Sequence, residues 1–272
     1  MTAPATDWII DNALWSKARP RLSVLIPFLG DDPAQLAREL AAPSADIEIV
    51  LLDDGGRDGE LAARIAETVQ ALPRPARFVR LAANIGRAKG RNRLASEARA
   101  RHLLFLDADM LPDSATFVAD WLAIADQDAA VAFGGFSFER TPLDPRFALH
   151  RAMALRSDCL PAAQRSLNPE KHVFTSNLLV RRDVFETVAF DERFTGWGFE
   201  DSDLAIRLGR AGVRLGALPG AGTVLHLHHR ESDRSLAGEN LARLREIERA
   251  ASFRAELGFD RVDPEARVER LS

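Results

Sequence analysis

The fold is decided by one apolar run that ends in two carboxylates, Leu103-Leu104-Phe105-Leu106-Asp107-Ala108-Asp109. Such a run predicts a buried strand, here at 102–106. Earlier runs of the same kind stand at 22–27, 47–52 and 77–81. Segments rich in Ala, Arg, Glu and Leu predict helices between them, at 33–41, 59–71 and 87–100. Strands and helices that alternate at this spacing predict an α/β protein with a mostly parallel, Rossmann-like central sheet flanked by helices.

The second half of the chain is less regular. Helices are predicted at 114–125, 182–188 and 200–211, and strands at 130–138, 173–180, 213–218 and 223–227. The stretch 139–171 is long and dotted with prolines, so it is either a functional loop or a helical excursion. No internal repeat or linker divides the sequence, which predicts a single domain.

The composition is that of an ordinary globular protein, with 272 residues, 46% of them apolar, and a net charge of −4. This slightly acidic balance, with no basic block, speaks against nucleic-acid binding. The single Cys159 cannot form an internal disulfide, which favours a reducing compartment. No window approaches the ~20 apolar residues of a membrane span, and the first residues do not resemble a secretory signal. These features predict a cytoplasmic protein without a transmembrane segment.

Asp107 and Asp109 close the strand and stand two residues apart. They share a face if the strand continues through Ala108, and they can still converge on one ion if a turn begins there. Hard oxygen ligands suit Mg²⁺ or Mn²⁺, and such an ion can bridge a diphosphate and neutralise its charge. Asp also ends many strands as a turn former, so the pair alone leaves both interpretations open.

A second acidic cluster, Asp53-Asp54-Gly55-Gly56, follows the strand at 47–52. Carboxylates there can accept hydrogen bonds from a nucleobase N–H or from ribose hydroxyls, and glycines let the backbone approach a ligand. An ordinary Asx turn explains the same residues.

Three cations, Arg87, Lys89 and Arg91, stand at the start of the helix predicted at 87–100. These side chains and the positive end of the helix could hold diphosphate oxygens. A solvated basic helix face is the alternative. The position just before the strand that ends in Asp107 favours ligand binding.

The most specific segment is Gly196-Trp197-Gly198-Phe199-Glu200-Asp201-Ser202-Asp203. Glycines on both sides of the tryptophan predict a mobile loop with a flat apolar face, on which a sugar ring can stack. Three acids follow at a helix start, where negative charge is favourable. Helix capping explains one or two of these acids and does not explain the Gly-Trp-Gly before them.

Three histidines, His226, His228 and His229, lie at the end of the strand predicted at 223–227. Imidazole suits Mn²⁺ better than Mg²⁺, so one of them is a candidate metal ligand. The sequence does not say which of the three points inward.

The order of these motifs resembles that of inverting glycosyltransferases of the GT-A fold. The first half is similar to the large family-2 group, through Val24-Leu25-Ile26-Pro27, Leu51-Leu52-Asp53-Asp54-Gly55 and Asp107-Ala108-Asp109. Other pieces are similar to the β-1,4-galactosyltransferase family: Ile26-Pro27-Phe28, Arg87-Ala88-Lys89 with Asn92, and the segment that begins Gly-Trp-Gly. The likeness covers most of the chain, and five motifs in the right order are highly specific.

The resemblance implies where a nucleotide-sugar donor would bind. Pro27, Phe28 and Asp54 would line the uridine pocket. Arg87 would lie near the nucleotide or its diphosphate, and Asp107 would approach the ribose or the metal.

The resemblance also implies a metal cofactor, Mn²⁺ or Mg²⁺. Asp109 and His226 would ligate it, and His229 is also compatible with the galactosyltransferase spacing. The single domain, residues 1–272, would comprise a nucleotide-binding half (20–135), an acceptor and catalytic half (136–230) and a C-terminal helical extension (231–272).

Trp197 and Glu200 would contact the acceptor or donor sugar, and Asp201 would be the catalytic base. An acceptor hydroxyl is a poor nucleophile at neutral pH, so a carboxylate must take its proton as it attacks. A single base opposite the leaving group implies one displacement with inversion. The expected reaction is metal-dependent transfer of a sugar from a UDP-linked donor to a glycan or lipid-linked acceptor, and a lipid-linked acceptor would bring the protein to the inner face of the membrane.

Two other classes of function are less consistent with the sequence. A sugar-nucleotide nucleotidyltransferase needs a glycine-rich phosphate loop after the first strand, where this chain has Phe28-Leu29-Gly30-Asp31-Asp32. A non-catalytic carbohydrate-binding protein would be expected to lose Asp109, Asp201 or His226, and all three are present.

Overall fold

The structure is a computed structural model that describes residues 6–42, 46–138, 145, 148–196, 198–217 and 223–226. Its strands are β1 (Trp8–Asp11), β2 (Leu22–Phe28), β3 (Ile47–Asp53), β4 (Ala76–Arg80), β5 (His102–Leu106), β6 (Met110–Pro112), β7 (Val131–Phe133), β8 (Gly135–Ser137), β9 (Asn177–Arg181), β10 (Leu215–Ala217) and β11 (Thr223–His226). Its helices are α1 (Ala34–Ala41), α2 (Gly59–Ala71), α3 (Arg87–Glu97), α4 (Phe117–Asp126), α5 (Ala148–Ser157), α6 (Ala162–Arg165), α7 (Pro169–His172), α8 (Arg182–Thr187) and α9 (Glu200–Arg210).

Within these residues the strands form two sheets. The larger sheet has the order β1-β4-β3-β2-β5-β9-β7-β10, and the smaller has the order β6-β11-β8. In the larger sheet β4, β3, β2 and β5 are parallel neighbours, whereas β1 pairs antiparallel with β4, and β9 pairs antiparallel with β5 and β7. The predicted α/β architecture with a Rossmann-like parallel centre is confirmed, and the antiparallel strands lie outside that centre.

The centre of the large sheet is buried on both faces. Alternate residues of a strand face opposite sides of a sheet. Along β2, Val24 and Ile26 pack into one apolar cluster with residues of α1 and α2, and Leu25 packs into a second cluster with residues of α3 and α9. One continuous apolar run therefore supplies two cores, as expected for a strand covered by helices on both faces.

The strand predicted at 130–138 is divided at Gly134 into β7 and β8, which belong to different sheets. The Gly134 N–H donates to the carbonyl of Asn177 at 2.9 Å, and the Asn177 side chain donates to the carbonyl of Gly135 at 3.3 Å. These bonds hold the chain where it leaves one sheet for the other. The strand predicted at 173–180 is β9, which begins only at Asn177.

Of the two alternatives predicted for 139–171, the structure shows the helical one, and it adds one strand that was not predicted. The described part of 139–171 contains α5, α6 and α7, so this stretch is a helical excursion. Strand β1 has no counterpart among the predicted strands, because it is a short edge strand that forms by pairing with β4. Among the described helices, none has the length and apolar character needed to span a bilayer.

Candidate active site

The carboxyl ends of β2 and β3 bring the first predicted site residues to one edge of the sheet. Phe28 stands opposite Asp53, and the Asp54 N–H donates to the Phe28 carbonyl at 3.0 Å. Pro27 is half-buried, whereas the Phe28 ring is buried and stacks on Phe78 with 6.0 Å between ring centroids. Pro27 therefore lies at the carboxyl edge of the sheet, whereas the Phe28 ring packs in the core beneath that edge.

Asp54 is held by backbone donors. Its two carboxylate oxygens accept the N–H of Ile85 at 2.8 Å and of Gly86 at 3.1 Å. Gly55 has φ +75°, and a Cβ there would lie 2.3 Å from backbone atoms of the 83–86 loop. We call this arrangement, made of Asp54, Gly55 and residues 83–86, the Asp54 cradle. Burial raises the pKa of the Asp54 carboxyl, and the two N–H donors oppose that rise.

The next helix starts directly after the cradle. Gly86, with φ 87°, precedes α3, and Arg87 and Arg91 stand one turn apart on it. Both arginine side chains contact carboxylates of the site, whereas Lys89 is exposed. The three predicted cations of this helix thus have different surroundings.

Arg87 and Arg91 join the end of β5 to the start of α9. The Nε of Arg87 donates to the Oε1 of Glu200 at 2.7 Å, and its Nη2 lies 3.7 Å from Oδ2 of Asp107. Arg91 donates from Nη1 to the same Glu200 oxygen at 3.3 Å and from Nη2 to Oδ1 of Asp107 at 2.9 Å. We call Arg87, Arg91, Asp107 and Glu200 the charge ring; its two cations and two anions balance.

Glu200 is the more deeply buried anion of the charge ring. The Glu200 side chain is only 4% exposed, and both arginines bind its Oε1. The sugar contact predicted for Glu200 stays a prediction. Burial also raises its pKa, but the charges of Arg87 and Arg91 outweigh that effect and hold the pKa of Glu200 below its usual range.

Asp201, the predicted base, has the opposite electrostatic balance. Burial, together with the negative charge of Glu200, raises the pKa of Asp201 to about 7. The Ser202 N–H, Arg87 and Arg91 oppose this rise without cancelling it. A carboxylate with a pKa near 7 is well matched to accept a proton at neutral pH.

The backbone before α9 is tightly turned. Gly196, Gly198 and Phe199 all have positive φ, of 74°, 97° and 69°. Phe199 is not a glycine, so its left-handed conformation is strained, and strain of this kind is concentrated at functional sites. Trp197, the predicted sugar contact, lies outside the described residues.

The expected metal ligands are partly described. Asp107 and Asp109 follow β5 and are half-buried, and the backbone of His226 stands opposite Met110 in the pairing of β11 with β6. His226 therefore lies one register position from Asp109, while its side chain, His228 and His229 lie outside the described part. Among described side chains, no group of three or more His, Cys, Asp or Glu could hold a metal ion. Two carboxylates with one imidazole are a donor set that fits Mn²⁺.

Two residues near the site gain a structural explanation that sequence reasoning missed. Asn92 donates to the Phe190 carbonyl at 3.0 Å and accepts its N–H at 3.1 Å, so it fixes α3 to the segment before α9. Asp203 is fully buried and accepts from Arg207 at 2.7 Å. The i,i+4 spacing of Asp203 and Arg207 is a readable signal for that pair; the Asn92 contact spans 98 residues and has no local signal.

Two family models match the sequence. The model of glycosyl transferase family 2 matches residues 23–189, more than half of the chain, and the model of the N-terminal domain of galactosyltransferase matches residues 163–230. A curated relative, the uncharacterized glycosyltransferase YfnE of Bacillus subtilis (strain 168), is 26% identical over 214 residues, which cover 62% of this chain and 54% of that protein. The chain thus spans about half the length of the curated relative it matches.

Similar solved structures include three glycosyltransferase-like folds. TarS of S. aureus has a TM-score of 0.59 at 16% identity, and the match covers 87% of this chain and 70% of the TarS chain. The mannosyltransferase PcManGT of Pyrobaculum calidifontis, in complex with GDP-Man and Mn²⁺, has a TM-score of 0.56 at 18% identity and covers 84% and 65%. GalNAc-T7 with UDP, GalNAc and Mn²⁺ has a TM-score of 0.59 at 16% identity and covers 77% and 43%. At these identities the likeness concerns the fold, and the predicted GT-A fold is confirmed.

Proposed function

This chain belongs to glycosyl transferase family 2. We propose that it is a glycosyltransferase, which transfers a sugar from a UDP-linked donor to a hydroxyl of a glycan or lipid-linked acceptor with inversion at the anomeric carbon. The charge ring is the observation that carries the proposal. Through Arg87 and Glu200 it links Asp107, at the end of β5, to the helix start that bears Asp201. A donor-binding edge and a candidate base thus adjoin.

The donor would bind along the carboxyl edge of the parallel strands, where ligands of open α/β sheets commonly bind. Asp54 keeps lone pairs beyond those used by Ile85 and Gly86, so it can accept a nucleobase N–H. Arg87 is 39% exposed and can turn its guanidinium toward diphosphate oxygens. TarS has been solved with UDP-GlcNAc and PcManGT with GDP-Man, so both nucleotides belong in a test.

The metal would be held by Asp109 and His226, with Asp107 facing the metal or the ribose. A bound Mn²⁺ or Mg²⁺ supplies charge that stabilises a nucleoside diphosphate leaving group. The backbone pairing of His226 beside Asp109 supports this assignment, as does the half-buried position of both carboxylates.

Asp201 would take the proton of the acceptor hydroxyl. Its carboxylate must be ionised to do so, and its raised pKa makes it a stronger base than an ordinary aspartate while leaving it largely ionised above pH 7. Trp197 would offer a stacking face for a sugar. In this scheme 20–135 is the donor half, 136–230 the acceptor half and 231–272 an extension, and a lipid-linked acceptor would place the reaction at the inner face of a membrane.

The test is release of the nucleoside diphosphate from UDP-, GDP- and dTDP-linked sugars, with and without Mn²⁺. We expect Mn²⁺-dependent release of UDP and, once an acceptor is found, a product whose anomeric configuration is inverted by NMR. No release from any of these donors would contradict the proposed donor class. A product with retained configuration would contradict the single-base mechanism alone.

A further inference from the structure

The two arginines of α3 have very different access to a ligand. The Arg87 side chain is 39% exposed, whereas that of Arg91 is 1% exposed. A guanidinium with almost no accessible surface cannot reach donor phosphates without leaving its partners. The sequence grouped both residues as candidate diphosphate ligands; their burial separates them.

Arg91 has the geometry of a bridge. Its Nη1 and Nη2 donate to two carboxylates, Glu200 on α9 and Asp107 at the end of β5, which are 109 and 16 residues away along the chain. The guanidinium carbon of Arg91 also lies over the Phe190 ring, 5.8 Å from its centroid. A planar fork that spans two acceptors is a property of arginine that lysine cannot reproduce.

Glu200 completes the bridge from the other side. Its Oε1 accepts from both arginines, so this one oxygen links the half-buried Arg87 to the buried Arg91. Through them it also fixes both oxygens of Asp107, which face Arg91 and Arg87 respectively. The Asp107 carboxylate is thus held directly by the buried Arg91 and, through Arg87, by the buried Glu200.

We propose that Arg91 and Glu200 are positioning residues of the donor site, which hold the Asp107 carboxylate and the Arg87 guanidinium in place and touch neither donor nor acceptor. This inference rests on the proposed function, since it assigns Asp107 and Arg87 to the donor. It replaces the sugar contact predicted for Glu200 and the phosphate contact considered for Arg91.

The experiment is calorimetric titration of UDP and of GDP into the intact protein, with and without Mn²⁺, for the unchanged chain and for Arg91→Lys, Glu200→Gln and the double variant. We expect each single variant to weaken Mn²⁺-dependent UDP affinity by about 10- to 100-fold, the loss typical of residues that orient a metal-site ligand. The double variant should be no weaker than the weaker single variant, because both changes break one ring.

The matched control is Arg93→Lys. Arg93 lies on the same helix and pairs with Glu97 at 2.9 Å outside the ring, and its variant should bind UDP as the unchanged chain does. If Arg91→Lys lowers only the melting temperature and the folded protein keeps its UDP affinity, the positioning role is wrong. Additive losses in the double variant would also overturn it. If the unchanged chain binds neither nucleotide with Mn²⁺, the proposed function fails, and the inference with it.

Discussion

The Asp54 cradle and the charge ring both hold carboxylates at the same edge of the sheet, but they do so with different materials. In the cradle two backbone N–H groups bind Asp54, and a glycine fits against the neighbouring loop without space for a Cβ. In the ring, four charged side chains bind one another. Backbone donors cannot move without unfolding the loop, whereas an arginine can exchange one anionic partner for another. The cradle is therefore expected to keep its shape when a donor binds at Asp54, and within the ring Arg87 and Asp107 are the members expected to contact the donor.

The largest expected effect comes from the acid beside the ring. Asp201→Asn keeps the shape of the side chain but removes the proton acceptor, so kcat should fall by about 10²- to 10⁴-fold while UDP affinity remains. Steady-state rates and calorimetry on the same preparation measure both.

The matched control is Asp183→Asn, also in the first turn of a helix but exposed and paired with Arg181. It should leave kcat unchanged. Wild-type turnover in Asp201→Asn would show that Asp201 is not the base.

The cradle should respond in stability. Gly55→Ala places a Cβ 2.3 Å from backbone of the 83–86 loop at φ +75°, and we expect the free energy of unfolding to fall by about 3 kcal/mol. Gly212 has the same φ of +75°, but no heavy atom of the described residues lies within 4 Å of where its Cβ would stand. Gly212→Ala should therefore cost only about 1 kcal/mol. Urea unfolding measures both, and equal losses would show that close packing against the loop is unimportant.

Asp109 lies next to the ring and is the predicted metal ligand. Asp109→Asn keeps the size of the side chain and removes its charge, so Mn²⁺-dependent UDP affinity should fall by about 10- to 100-fold, while UDP affinity measured without Mn²⁺ changes little. Titration of UDP with and without Mn²⁺ gives the ratio of the two affinities for each protein. If the variant retains the full effect of Mn²⁺, the metal is held elsewhere.

The smallest expected effect is a change in folding stability with pH, caused by Asp201. Burial and Glu200 raise the pKa of Asp201 to about 7, against the pull of Arg87 and Arg91. The folded protein therefore keeps this proton between about pH 4 and pH 7 while the unfolded chain loses it, so the stability from this group is present below about pH 4 and lost as the pH rises to 7.

Asp201→Asn should remove that dependence. Relative to the unchanged chain, the melting temperature of the variant should be equal at pH 4 and higher by several degrees at pH 8. Calorimetric melting at both values measures the difference. A variant that is less stable at pH 8 than the unchanged chain would mean that the Asp201 charge is stabilised by the fold.

Much of this fold could be predicted because its central strands are long and continuously apolar. The runs at 22–27, 47–52 and 102–106 became β2, β3 and β5 with the expected neighbours. The division at Gly134 could not be predicted in the same way, because it depends on Asn177, which lies 43 residues further along the chain. The local apolar pattern therefore predicts where strands lie, but the end of a strand can depend on a residue far away in the sequence, as β7 depends on Asn177.

The candidate site shows the same limit. Its acids and cations could be located from strand ends and a helix start, and the structure brings Arg87, Asp107 and Glu200 together. What could not be predicted is which of them is buried, because the burial of Glu200 depends on arginines more than 100 residues away. Local sequence alone predicts that a charged residue lies on the surface. The burial of Glu200 is explained by the two arginines that pair with it.

The order of the strands has a consequence for synthesis of the chain. The parallel centre, β4-β3-β2-β5, is complete by Leu106, whereas β9 pairs with β5 only after Asn177 has emerged, and α9 follows still later. Because the chain is synthesised from its N-terminus, the residues of the cradle emerge before α9, and Arg91 can pair with Asp107 before Glu200 is present. The nascent protein would then acquire its nucleotide platform first and its proton acceptor last.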